Sequence, residues 1–187
     1  ALRYAHPERT AVVIHHWTEV CVAVKVRQRS AQIGANGVAP LSLAVQAAEL
    51  ARVPVMVHIG AGVPLPQLLE LMRAGDIVTH CYQGNGDGIL GEDGKVLDQV
   101  RQARERGVVF DLGHGGGSFR YEVAKQALAQ FIRTLRHQYP AYAALKYPEP
   151  LPVSALALQP EEPLLAYAVT DKETFAWVVR GGKVVQA

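Results

Sequence analysis

The chain has 187 residues, 49% of them apolar, and a formal net charge of +2. That is long enough for one domain with a real core and too apolar for a disordered chain. Acidic and basic residues interleave, which excludes an electrostatic footprint for nucleic acid, and no polybasic run or basic amphipathic helix points to a membrane surface. No apolar run approaches the ~20 residues that span a bilayer. The opening ALRYAHPERT lacks a signal-peptide pattern. Cys21 and Cys81 make no disulfide scaffold and read as reduced, structural thiols, which places the protein in the cytoplasm.

In chain order, VCVAVKVR at residues 20–27 reads as a buried strand. A Gly/Asn loop follows at Gly34, Asn36 and Gly37, and Pro40 opens the Ala/Leu-rich helix LSLAVQAAELAR. VPVMVHI at 53–59 is a second apolar run, Gly60 to Pro66 turns the chain, and QLLELMR is a short helix. DIVTHCY at 76–82 is a third strand. A Gly/Asp-rich loop from Gly84 to Gly94 then precedes the amphipathic helix KVLDQVRQARER, which Gly107 ends. VVFDL is the fourth strand, and the loop GHGGGS leads into the helix FRYEVAKQALAQFIRTL with Ser118 as its N-cap. Strand and helix alternate four times, which predicts parallel strands joined by right-handed crossovers. A doubly wound sheet and part of a (β/α) barrel both satisfy this rhythm. His137 to Pro163, rich in Pro, Ala and Tyr, reads as irregular. LLAYAV and FAWVVRGGKVV close the chain as strands, with a hairpin turn at Gly181-Gly182.

The unusual polar residues cluster at strand ends. Lys25, His58 and His80 fall at or near the carboxyl ends of successive strands, and His114 falls just past the fourth. In parallel α/β barrels that rim carries the active site. Alternation puts Val20, Val22, Val24 and Val26 on one face and Cys21, Ala23, Lys25 and Arg27 on the other. A lysine inside a barrel is costly unless paired or neutralised, and burial lowers its pKa and makes the amine nucleophilic. Such an amine can capture carbon dioxide as a carbamate whose oxygens bridge two metal ions. The competing reading is a strand-end lysine that snorkels to water. Neutral imidazoles at 58 and 80 suit zinc with an open position for water, or serve as strand-end histidines bonded to backbone. His114, between Gly113 and Gly115, sits where backbone can approach a ligand closely. GHGGG lacks the GKS or GKT ending of a phosphate loop. His15 and His16 are adjacent, so a strand would point them to opposite faces, and they read as structural. Asp111 flanks its strand and could orient a neighbour, and Asp171 reads as a turn residue.

Taken together, VAVKVR, GVAPLSLAVQAAELARVPVMVHIG, GDIVTHCYQG and GILGEDGKVLDQVRQARERGVVFDLGHGGGSF resemble the amidohydrolase superfamily, and within it the dihydroorotase-like metal-dependent deacetylase group. The likeness covers residues 20–130, loops as well as strands, and FAWVVRGGKVV resembles the last strands of the family's small β domain. The resemblance implies an α/β fold: a partial (β/α)8 TIM-type barrel over 1–135, an irregular linker over 136–163 and a small β segment over 164–187. It implies one or two divalent metal ions, usually zinc, held by a carboxylated Lys25 with His58 and His80. It places His114, Gly113 and Gly115 on the substrate side, with His114 as a catalytic residue. The implied reaction is attack of metal-activated water on an amide or ester carbonyl of a small acylated substrate. The family's H-x-H pair and last-strand aspartate do not occur in this sequence, and four βα units are visible where a whole barrel has eight. A truncated, inactive remnant serving as a metal-binding or interaction module is therefore the alternative. A partial barrel exposes sheet edges, so association as a homo-oligomer or with a complementary chain is expected, with no nucleic-acid or membrane partner.

Overall fold

The structure is a computed structural model that describes residues 2–159 and 161–186. It divides into two units, Ala1–Thr134 and Leu135–Ala187. The first unit holds helix α1 (Pro7–His16), strand β1 (Val24–Gln28), helices α2 (Ser30–Ile33) and α3 (Ala39–Ala51), strand β2 (Val55–Ile59), helix α4 (Leu65–Leu69), strand β3 (Ile77–Thr79), helix α5 (Asp98–Glu105) and strand β4 (Val109–Asp111). Helix α6 (Tyr121–Gln138) follows. The four strands form one parallel sheet in the order β1-β2-β3-β4. This is the expected α/β class with repeated βα units.

The sheet has two unlike faces, and strand alternation separates them. On one face Val24, Gln28, Val55, Val57, Ile59 and Val78 are buried beneath the helices. Helix α3 supplies Leu41, Ala44, Ala47, Ala48 and Ala51 to that layer, and α1 packs on α3 through Ala11 and Ile14. Small alanines at helical spacing let α3 lie close to the β-branched sheet. The other face carries Lys25, Arg27, Met56, His58, Ile77, Thr79, Val109 and Asp111, and among the described residues of the first unit no helix covers it. There Lys25, Arg27 and Val109 are exposed and Met56 and His58 are half-buried.

One buried carboxylate ties the start of β2 to the turn before β3. Asp76 is fully buried and accepts hydrogen bonds from the Val55 amide at 2.8 Å and the Arg73 amide at 2.8 Å. The Arg73 guanidinium adds contacts of 3.0 and 2.9 Å, and its Nη2 also donates to the Val53 carbonyl at 3.3 Å. Burial alone would raise the Asp76 pKa, but these donors, Arg73 first, hold it below the usual carboxylate value.

In several places the chain departs from the sequence reading. The first strand begins at Val24, not residue 20, and Val20 and Val22 are 71% exposed. Pairing starts where the Val24 amide donates to the Pro54 carbonyl at 2.9 Å, so residues before it have no neighbouring strand to join. His15 and His16 end helix α1 rather than lying in a strand. Ser118 is not a helix cap: its amide donates to Gly115 O in a turn, and α6 starts only at Tyr121, after the Arg120 amide has bonded to Tyr82 O at 2.8 Å. Gly107, at φ 97, does end the turn after α5.

The second unit contains helix α7 (Pro140–Lys146) and an antiparallel sheet of β5 (Leu164–Val169), β6 (Thr174–Arg180) and β7 (Lys183–Gln186). The stretch expected to be irregular thus holds a two-turn helix opened by Pro140, whose missing N–H costs nothing at a first-turn position. Positive φ at Gly181 and Gly182, 55 and 72, builds the β6–β7 hairpin. Among the described residues no helix is long and apolar enough to cross a membrane.

Asp76→Ala is expected to destabilise the chain by about 2–3 kcal/mol, because the Val55 and Arg73 donors lose their acceptor. Because the folded pKa is depressed, the stabilisation is present above the unfolded carboxylate value of about 4 and disappears as pH falls through the folded value. Urea unfolding of wild type and variant across that range measures it, and a pH-independent difference would contradict it.

Candidate metal centre

The centre is built where β2 and β3 reach the rim of the open face. His58 is the fourth residue of β2, in register with Arg27 on β1 and Thr79 on β3. His80 follows the last residue of β3, and plain alternation would send its side chain to the helix-covered side. Instead the backbone turns left-handed at His80, with φ 70. The two imidazoles then meet edge to face, with centroids 4.4 Å apart and planes at 79°. A non-glycine residue at positive φ is strained and persists only where its surroundings demand it.

The loop after β4 holds His80 in this pose. His80 Nδ1 lies 2.6 Å from the Gly113 carbonyl. A carbonyl only accepts, so Nδ1 carries a proton, and Nε2 is the nitrogen left to meet a cation. Gly113 itself has φ 51, and a Cβ there would collide with Thr79 Oγ1 and lie 2.7 Å from His80 Nδ1. Beside it, Thr79 Oγ1 donates to Asp111 Oδ2 at 2.6 Å, and the Cys81 amide donates to Asp111 O at 3.1 Å. Asp111 thus orients its neighbour on β3.

His58 is poised differently. Its Nδ1 is buried with no hydrogen-bond partner. Burial, then the charges of His80, Arg27, Lys25 and Arg29, push its pKa from 6.5 down to about 4. The ring is therefore neutral at physiological pH, the form that can donate a lone pair to a cation.

The other expected residues are placed less tightly. Lys25 shares the open face but is exposed, not buried, and it is the second residue of β1, opposite Met56. Water reaches the amine, as in the strand-end reading of this lysine. Arg27, not Lys25, is the register partner of His58. His114 is exposed and packs on the Phe119 ring at 5.1 Å rather than on the histidine pair. Gly113 serves His80, and the Gly115 carbonyl closes the turn to Ser118. Among the described residues no group of three or more His, Cys, Asp and Glu is arranged to hold a metal ion. The sequence reading missed the weight of Arg27 and Arg29, although their spacing from Lys25 in VKVRQR put all three on one parity.

Known proteins show the same partial pattern. No protein-family model matches the chain. A deacetylase of Enterococcus faecalis is 42% identical over 123 residues, covering 64% of this chain and 33% of the relative. A crystal structure of an adenine deaminase superposes with a TM-score of 0.67 at 35% identity, over 76% of this chain and 42% of that one. A crystal structure of a dihydroorotase gives 0.64 at 31% identity, over 70% and 35%. These likenesses point to the amidohydrolase superfamily. The chain spans about a third of the length of the curated relative and has the fold of part of a (β/α)8 barrel with a small antiparallel C-terminal sheet.

In the metal-free chain His58 is expected to stay neutral until about pH 4. A lowered histidine pKa stabilises the fold above the ordinary value of 6.5, and that contribution fades as pH falls from there toward 4. His80→Ala opens the His58 ring to water and removes the electrostatic influence of its neighbour, so the His58 midpoint should move up toward 6.5. Imidazole nitrogen NMR reads both values, and an unshifted midpoint in the variant would contradict the pairing.

Proposed function

We propose that the chain carries part of the active site of a metal-dependent hydrolase of the deacetylase and dihydroorotase kind, cleaving an amide or ester bond in a small acylated substrate. The observation that supports it most is the His58–His80 pair: two imidazoles 4.4 Å apart on the open face, one with an orphaned buried nitrogen and the other with its tautomer fixed by Gly113 O. This donor pair fits a divalent ion such as zinc, with Lys25, as an amine or carboxylated, the third group on the same face. When bound, the ion would supply a Lewis acid and lower the pKa of a coordinated water. The chain's own residues contribute the rest. Gly113 O holds a proton on His80 Nδ1 and orients the ring so that Nε2 faces the ion. Burial, and then the charged groups around it, keep His58 unprotonated. His114, on its glycine loop, is assigned to the substrate side, where it donates or accepts a hydrogen bond at the acyl group. The uncovered face and the outer edges of β1 and β4 support association with a second copy or a complementary chain.

Zinc content per chain and turnover of a panel of N-acetyl amino acids and acetyl esters test the reading together. Bound zinc with turnover is the expected result, and zinc without turnover would instead support the inactive remnant. Lys25→Ala should lower zinc content, and full retention would remove Lys25 from the ligand set. His114→Ala should cut turnover by about 100-fold with zinc retained, and complete zinc loss would contradict its substrate-side role.

A further inference from the structure

Three consecutive residues at the end of β3 are each held by the exit of β4. Thr79 Oγ1 donates to Asp111 Oδ2 at 2.6 Å, the Cys81 amide donates to Asp111 O at 3.1 Å, and His80 Nδ1 meets Gly113 O at 2.6 Å. Asp111 therefore grips the residue before His80 with its side chain and the residue after it with its backbone. Thr79 and Asp111 are register partners on the open face. Thr79 is only 4% exposed, so water is a poor substitute for that carboxylate as the partner of its hydroxyl. A carboxylate only accepts, so the Thr79 proton points at Asp111 and away from Gly113, which lies against Thr79 Oγ1 on the side a Cβ would occupy.

An ordinary cross-strand pair would account for the Thr79 contact alone. It does not account for a second and a third bond from the same exit, closing around the one β3-end residue with positive φ. We propose that Asp111 is a positioning residue of this centre. It clamps the exit of β4 onto Thr79 and Cys81, which sets Gly113 O against His80 and gives the loop that carries His114 a fixed starting point. Asp111 acts through Thr79, Cys81 and Gly113, not on the ion itself. The proposal rests on the hydrolase reading only for what His80 and His114 do; the clamp is a property of the metal-free chain.

The test follows the His80 Nδ1 proton by nitrogen-edited NMR in the metal-free chain and measures zinc affinity separately. In wild type that proton is held by a carbonyl and should exchange slowly enough to be seen. Asp111→Ala and Thr79→Val should lose the signal to exchange with water and weaken zinc binding by about 10-fold. Asp111→Asn and Thr79→Ser keep the acceptor and the donor, so both should retain the signal and bind zinc like wild type. The Thr79 pair carries the test by itself if Asp111→Ala does not fold. An intact His80 signal in Thr79→Val, or Asp111→Asn as damaging as Asp111→Ala, would overturn the clamp. Loss of the signal in Thr79→Val, in a chain whose wild type takes up no zinc, would count against the hydrolase reading and leave the clamp standing.

Discussion

The left-handed turn at His80 is the constraint on which the centre depends. Up to Thr79 the chain obeys strand alternation, and the next side chain would point into the helix layer. At φ 70 that direction is reversed, and the ring is delivered to His58 instead. The turn is held from outside by the Gly113 carbonyl, and Gly113 can approach so closely only because it has no Cβ. Strain at position 80 and a glycine at 113 are thus two halves of one device, spread over two βα loops.

That device sits on a scaffold with a strict division of labour. The helix-covered face is aliphatic and tightly closed, anchored by α3 and by the Asp76–Arg73 cluster under β2 and β3. The open face holds the ionisable groups. In a parallel sheet successive strands present their carboxyl ends to the same rim, so His58 and His80 meet although they come from different strands. The same geometry sets the cations of β1 at one side of the imidazoles and Asp111 at the other, giving the rim a direction as well as a location.

Much of this was legible in the residues. The alternation of VKVR and VMVHI with Ala-rich helical segments implied parallel βα units, and β1 to β4 follow in that order. His58 and His80 could be named as rim residues because each follows a short apolar run. The contact between them could not, because alternation argues against it and only the backbone reversal at His80 restores it. Lys25 shows a related limit. A periodic pattern tells which face a residue is on, but not whether that face is covered, and here it is open. Helix α7 escaped notice because Pro and Tyr dominate its surroundings, and propensity gave way to a proline-opened first turn.

The central claim is that the two rim imidazoles can share one cation. A zinc titration of the chain followed through its imidazole nitrogen signals tests this most directly. The account predicts that the His58 and His80 signals change together and saturate at one zinc per chain, while those of His15, His16 and His137 stay in place. Zinc that shifts the exposed histidines and leaves His58 and His80 untouched would contradict it.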